Sequence, residues 1–386
     1  MSSNRRRFLR DAGLAGVAAA TTTSLVSQAV AASDKPHTDP TVKKVGGPYG
    51  EGMPITAAGY DYNRVAALAS GDVTIDGCAT TYEVTGIGPL NIHAFYGPQT
   101  RHVTEIGLIP YILAFANGDF RDYSLLPIPV LRIFRHKSIW VRTDSAIEKP
   151  SDLKGKKVAT VGYSSSGLTH VRGVLQDEYG VSPNEIHWVS TKKDSAANVT
   201  GGVSGWEMVR PDGVDIVDAP DDMDESDLLL AGEVDAIFHP AEPRVYQERN
   251  PAVRRLFEDF RSVEQNYYKR TGIFPIMHSI AIRRDVMEAN PWLPKAVFEA
   301  YSKSKAINLN HMQKLGWAYD TLPWYGQEFN DTVALMGKNM YPYGYEVSAD
   351  SYDTALRYLY EQGLSKRRVT LEEIFAPSVR SLVEQV

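Results

Sequence analysis

The residues best suited to chemistry in this chain are arginines, histidines and serines at the ends of apolar runs. Arg64 follows Asp61 and Tyr62 where such a run stops. Its guanidinium suits a bidentate grip on a carboxylate, or else a surface pair with Asp61. Arg135 and His136 are neighbours in L-R-I-F-R-H-K-S-I-W-V, residues 131–141, whose apolar spacing predicts one long strand. On a strand the two side chains point to opposite faces, so only one would face a given cleft. The reference pKa of histidine lies near physiological pH, which makes His136 a proton-donor candidate; the alternative is a structural histidine bonded to backbone. Ser164, Ser165, Ser166 and Gly167 precede a helix that carries Thr169 and, one turn on, Arg172. Free N–H groups, hydroxyls and a guanidinium there would bind a carboxylate, where the plainer alternative is N-capping by serine. Arg270, Thr271 and His278 flank a further apolar stretch, with His278 a second proton-donor candidate or a core histidine beside Met277. Glu105, in T-E-I-G-L, could orient a hydroxyl or a histidine, or else be a solvated loop carboxylate, and His239, in H-P-A-E, ends another short run. The chemistry these groups share is holding a carboxylate and moving one proton.

Other chemistries have less support. No G-x-S-x-G elbow occurs, and the remaining histidines, at 37, 93, 102, 170, 187 and 311, form no H-x-H or H-E-x-x-H pair. No metal site is therefore expected. The single cysteine, Cys78, excludes an internal disulfide framework and a Cys-cluster metal site. The chain has 386 residues, 43% hydrophobic and 23% charged, which suits a globular protein of two domains. A formal net charge of −6 argues against a general nucleic-acid or anionic-membrane binder.

The N-terminus has its own logic. Arg5, Arg6, Arg7 and Arg10 against Asp11 give residues 1–32 a charge of +3, which leaves −9 on the rest. The arginines precede a weakly apolar stretch and the small residues Ala29 to Ala32. R-R-R-F-L-R with such a stretch fits a twin-arginine export signal over 1–32, and predicts a periplasmic protein that has met the twin-arginine export machinery. Residues 33–52, with many glycines and prolines, read as a disordered lead-in.

Beyond them, strands are expected near 55–60, 79–84, 103–108, 158–161, 234–238 and 279–282. Helices are expected at 64–70, 88–96, 109–116, after Gly167, at 227–231, 292–308 and 351–362. Residues 191–225 lack periodicity and read as an extended surface loop. Alternation of strands and helices implies an α/β layered fold.

Two resemblances add to this. K-P-S-D-L-K-G-K-K-V at 149–158, its Gly/Ser loop and helix, and L-L-A-G-E-V-D-A at 229–236 resemble type II periplasmic binding proteins. That architecture implies two α/β lobes, each a mixed sheet flanked by helices, with a ligand cleft between them. Lobe one would comprise 53–143 plus 274–386, and lobe two 144–273.

Further motifs are G-Y-D-Y-N-R at 59–64, F-R-H-K-S-I-W-V at 134–141, V-R-G-V-L-Q-D-E-Y-G-V at 171–181, R-T-G-I-F-P-I-M-H at 270–278 and Y-P-Y-G at 341–344. Together with E-Q-G-L-S and E-E-I-F-A-P near the C-terminus, they resemble 4,5-dihydroxyphthalate decarboxylases over almost all of 53–378. The resemblance implies removal of CO2 from a hydroxylated aromatic dicarboxylate to give 3,4-dihydroxybenzoate. A ring hydroxyl serves as electron sink, so no organic cofactor is needed, only cations for the carboxylates and a proton donor. His136, His278 and Glu105 would then be catalytic; Asp61, Tyr62, Arg64, Arg135, Ser165, Ser166, Thr169, Arg172, His239, Arg270 and Thr271 would bind the small aromatic carboxylate. Typical members lack an export leader, and Asn63 stands where an acidic residue is expected. The leader also fits the alternative of a periplasmic solute receptor feeding an inner-membrane transporter.

Overall fold

The structure, a computed structural model, describes residues 39–319 and 321–385. The leader and the first part of the lead-in lie outside the described residues. Six strands come first: β1 (Lys44–Tyr49), β2 (Met53–Gly59), β3 (Cys78–Val84), β4 (Val103–Gly107), β5 (Tyr123–Leu125) and β6 (Leu131–Arg132). The chain then crosses to a second sheet of β7 (Ile139–Arg142), β8 (Lys157–Val161), β9 (His187–Thr191), β10 (Ile216–Asp218), β11 (Ala236–Phe238) and β12 (Val253–Arg255). It returns through residues 272–275 as β13 (Ile276–Arg283). The first sheet runs β1-β3-β2-β4-β13-β5, with β6 also on β13; the second runs β10-β9-β8-β11-β7-β12. In the first sheet β3, β2 and β4 run parallel, with β1 and β13 antiparallel on either side of them; in the second β10, β9, β8 and β11 run parallel and β7 lies antiparallel between β11 and β12. This is a mixed α/β architecture of two sheets flanked by helices.

Three expectations change. The lead-in includes β1, which pairs antiparallel with β3 from Lys44↔Val84 onward, because the edge of β3 offers unpaired backbone groups to the preceding segment. The stretch 131–141 is not one strand. Arg135 has φ −119° and ψ 1°, and residues 136–138 form a single 3-10 turn, so the chain bends between the sheets there. Consequently β7, assigned to lobe one on sequence, pairs with β11 and β12 in the second sheet, and the crossing falls at 133–138.

Five helices matter for the site: α1 (Ala66–Ser70), α2 (Ile87–Tyr96), α3 (Leu108–Asn117), α4 (Ser166–Tyr179) and α5 (Ala197–Thr200). Helix α3 is buried from Leu108 through Phe115; each large apolar side chain so buried contributes about 1.5–3 kcal/mol. Helix α4 begins where the Ser165 hydroxyl accepts the Leu168 N–H at 3.3 Å and ends at Gly180, whose φ of 63° only glycine adopts freely. Leu168, Val171 and Leu175 form its buried face. Cys78 is packed in the core, where burial pushes its thiol up to about 11. Among the described residues no helix is long and apolar enough to cross a membrane.

Candidate active site

The strand ends of both sheets point at one cavity of about 310 Å³, lined among others by Tyr60, Tyr62, Leu131, Ile133, Arg135, Ser165, Ser166, Gly167, Val199, Glu207, Pro240, Met277 and His278. Tyr60 follows β2, Ile87 opens α2 after β3, Gly107 ends β4, Ser165 follows β8 and Pro240 follows β11. Carboxyl ends of parallel strands are where α/β sheets hold ligands, because loops and helix N-termini converge there. Here α2, α3 and α4 all start at the cavity wall, each presenting its positive end.

One wall carries a hydrogen-bonded pair. Glu105 of β4 faces Ile280 of β13 in the ladder and His278 faces Gly107, so the two side chains lie on the same sheet face, two residues apart along the strands. His278 Nδ1 lies 2.6 Å from Glu105 Oε1. The same carboxylate accepts the Tyr62 hydroxyl at 2.9 Å and the Tyr60 N–H at 3.0 Å. A carboxylate can only accept, so His278 carries its proton on Nδ1, and in the neutral ring Nε2 is an acceptor. Tyr60 stacks on Tyr62 at 5.1 Å and on His278 at 6.3 Å. The glycine of G-Y-D-Y follows from this packing: a Cβ on Gly59 would lie 2.9 Å from the Tyr82 hydroxyl and 3.0 Å from Glu105 Oε2.

Another part of the lining is cationic. Arg135 Nε lies 3.0 Å from Met277 Sδ and Nη1 donates to Pro240 O at 2.6 Å, while Nη2 has no hydrogen-bond partner among the described residues. Nη2 sits over Gly167, where a Cβ would come within 3.1 Å of it. Burial pulls the Arg135 guanidinium down to about 10, opposed by Glu264, so it remains a cation at neutral pH. The backbone N–H groups of Ser165, Ser166 and Gly167 have no backbone acceptor among the described residues, and the Ser166 hydroxyl accepts the Ile109 N–H at 3.1 Å, which ties the starts of α3 and α4 together. Arginine and helix start together form a carboxylate cradle.

The expected site therefore separates into two groups. Tyr62, Glu105, Arg135, Ser165, Ser166 and His278 meet at or just behind the cavity wall. The others do not. His136 lies outside it, in an aromatic box of Tyr179, Phe257 and Tyr267, with neither ring nitrogen hydrogen-bonded among the described residues. Burial, with Arg270 nearby, pulls it down to about 4. Arg64 is held between the rings of Tyr62 and Tyr341, at 4.1 and 4.5 Å, and Asp61 is exposed. Thr169 and Arg172 share a face of α4, but it turns away from the cavity: Arg172 lies 3.8 Å over Tyr163 and donates to Gln362 Oε1 at 2.9 Å, and Thr169 O accepts from Gln362. Arg270 is exposed and paired with Glu178, and the Thr271 hydroxyl bonds back to Tyr267 O. His239 is buried and does not line the cavity, with Nε2 3.1 Å from Asp194; burial alone would lower its pKa, but the Asp194 hydrogen bond and the Glu225 and Asp194 charges raise it.

Tyr60, Met277, Pro240 and Glu207 line the cavity without having been singled out by sequence. Glu207 comes from the aperiodic stretch after β9, where the one signal was S-G-W-E, a Ser-x-x-Glu capping pattern. Burial pushes its carboxyl above the usual carboxylate range, against the hydrogen bonds from Ser204 and Asn91.

Known proteins agree with this architecture. A family profile described as NMT1/THI5 like matches residues 130–311. The aliphatic sulphonate binding protein SsuA of Escherichia coli superposes with a TM-score of 0.50 at 18% identity, over 87% of this chain and 96% of that one. A putative sulfonate-binding SsuA from Methylobacillus flagellatus superposes with a TM-score of 0.53 at 13% identity, over 85% and 92%. These show the periplasmic-binding-protein fold. In sequence, a 4,5-dihydroxyphthalate decarboxylase of Comamonas testosteroni is 32% identical over 326 residues, 84% of this chain and 97% of that protein. One from Pseudomonas putida is 28% identical over 213 residues, 54% of this chain and 79% of that protein. A relationship that spans nearly the whole of the Comamonas protein and includes both walls of the cavity places this chain in the 4,5-dihydroxyphthalate decarboxylase family.

Proposed function

We propose that the protein is a carboxy-lyase that removes CO2 from a hydroxylated aromatic dicarboxylate, 4,5-dihydroxyphthalate in the first instance, to give 3,4-dihydroxybenzoate. The observation that carries the proposal is one cavity bordered by the Glu105–His278 pair, a free Arg135 nitrogen and the start of α4. The arginine and helix start hold the carboxylate that stays; the neutral His278 Nε2 accepts the proton of a ring hydroxyl and pushes electrons into the ring. The apolar walls, Leu131, Ile133, Val199 and Met277, give the leaving carboxylate little solvation, which favours its departure as neutral CO2. No organic cofactor takes part.

The leader supports export by the twin-arginine route, so we place the reaction in the periplasm. Processed protein recovered from a periplasmic extract, incubated with 4,5-dihydroxyphthalate, should release one CO2 per diacid with the ultraviolet spectrum of the product. The second reading, a receptor that hands an aromatic carboxylate to an inner-membrane transporter, is favoured by the fold shared with sulfonate-binding proteins and by the leader. Tight binding without CO2 release would decide for the receptor.

A further inference from the structure

The decarboxylase reading leaves the carbon that loses CO2 in need of a proton, and His278 is occupied with the hydroxyl. Glu207 is the other titratable side chain on the cavity wall with an unengaged oxygen. Its Oε2 accepts three donors: the Ser204 N–H at 2.8 Å, the Ser204 hydroxyl at 2.8 Å and Asn91 Nδ2 at 3.4 Å. The Asn91 amide is oriented for this, since its Oδ1 accepts the Gly107 N–H at 3.0 Å. Glu207 Oε1 has no hydrogen-bond partner among the described residues, and it keeps accessible surface.

The consequence is geometric. A neutral carboxyl group has one oxygen that accepts and one that donates. With three donors aimed at Oε2, the proton of the neutral acid must sit on Oε1, the oxygen left open on a residue that lines the cavity. We propose that Glu207, positioned by Ser204 and Asn91, is the acid that protonates the ring carbon bearing the leaving carboxylate, a proposal that rests on the decarboxylase reading of this site.

The step balances. His278 Nε2 takes the proton of the ring hydroxyl, whose electron pair moves into the ring. The ring carbon takes the proton from Glu207 Oε1 and forms a C–H bond. The C–C bond to the carboxylate breaks, its pair restores the aromatic ring, and CO2 leaves. His278 returns its proton to the hydroxyl oxygen, and the Glu207 carboxylate regains one from water. The groups that face Glu207 are Asn91 and Tyr96 of α2, Ser204 on its own loop, Tyr60 after β2 and His278 of β13, with Glu105 behind His278. The acid must be protonated to act, so kcat should fall as pH rises through its elevated titration range.

Glu207→Gln keeps the shape and the acceptor oxygen but cannot deliver an acidic proton. It should lower kcat on 4,5-dihydroxyphthalate at least 100-fold, within the range of general acid catalysis, while product affinity stays within about threefold. A second readout follows from reversibility: the group that gives the proton also removes it. Wild-type protein in D2O should exchange the ring hydrogen of 3,4-dihydroxybenzoate at the carbon that bore the carboxylate, and Glu207→Gln should not. If the variant keeps its kcat or its exchange, Glu207 is not the acid, although the decarboxylase reading stands. If wild-type protein releases no CO2, both fall. If the variant does not fold, the wild-type profile decides: kcat that keeps rising to pH 9 overturns the assignment, and a fall on the alkaline side supports it.

Discussion

Arg135 and Arg172 are both buried arginines of the crossing region and α4, and on sequence both were carboxylate ligands. What separates them is where the guanidinium is spent. Arg172 lies over Tyr163 and bonds Gln362. Arg135 commits two nitrogens to Met277 and Pro240 and leaves the third at the start of α4. Arg135→Met should therefore raise KM for an aromatic dicarboxylate at least tenfold, about 1.4 kcal/mol, with a smaller effect on kcat. Arg172→Met should leave KM within about twofold. Steady-state kinetics on the two variants test this, and equal effects would remove Arg135 from the cradle. Residue types alone pointed to a carboxylate grip with a histidine and a carboxylate to move protons. They could not show which of several arginines and histidines reaches the cavity, since that depends on side-chain packing in three dimensions.

Elements with a strong local signal were legible: helix α4 from its serine cap and apolar face, β8 and β13 from apolar runs, α2 and α3 from spacing. What was not legible depends on long-range contact. The break at 133–138 occurs in a sequence with even strand spacing, because Arg135 and His136 are taken up by partners far along the chain, Pro240 and Met277 for one and Tyr179, Phe257 and Tyr267 for the other. The stretch 191–225 has no period to read, yet it supplies Val199 and Glu207 to the cavity and closes over the start of α2. Tyr60 donates its hydroxyl proton to Val199 O at 3.3 Å. Gly88 lies so close to this stretch that a Cβ would meet Gly202 O at 2.6 Å and Gly201 O at 2.7 Å. Such distances are below van der Waals contact with backbone, which cannot swing aside as a side chain can. Gly88→Ala should hold the α5 stretch off α2 and weaken binding of 3,4-dihydroxybenzoate at least tenfold, while Tm drops by only a few degrees. Calorimetric titration with a thermal melt measures both. Unchanged affinity would mean that the contact has no part in enclosing the ligand.

For the molecule as a whole, the seam between the two sheets should be sensitive to acid. His136, on the crossing segment, and His170, on α4 against Tyr358, are both almost fully buried, and burial pulls each from 6.5 to about 4. The His170 hydrogen bond to Ser166 O only partly offsets this. In the unfolded chain both histidines take up a proton near pH 6.5, whereas in the folded protein they stay neutral until about pH 4. Between those values the unfolded state binds more protons, so stability rises with pH through that window and is lost as pH falls through it. Each site contributes on the order of 3 kcal/mol over the full window, a large share of the stability of an ordinary domain. Carboxylates held low by partners, such as Asp194 and Asp227, lose their contribution at lower pH, as their own folded-state pKa values are crossed. The two effects therefore separate along the pH axis. His136→Phe fills the aromatic box without a titrating group. Urea unfolding at pH 7 and pH 4.5 should show a smaller loss of stability for this variant than for wild type, by on the order of 2–3 kcal/mol. Because His136 lies outside the cavity, kcat at pH 7 should stay within about twofold of wild type. Equal losses in the two proteins would show that the box admits a proton freely and that the seam owes its acid sensitivity to other groups.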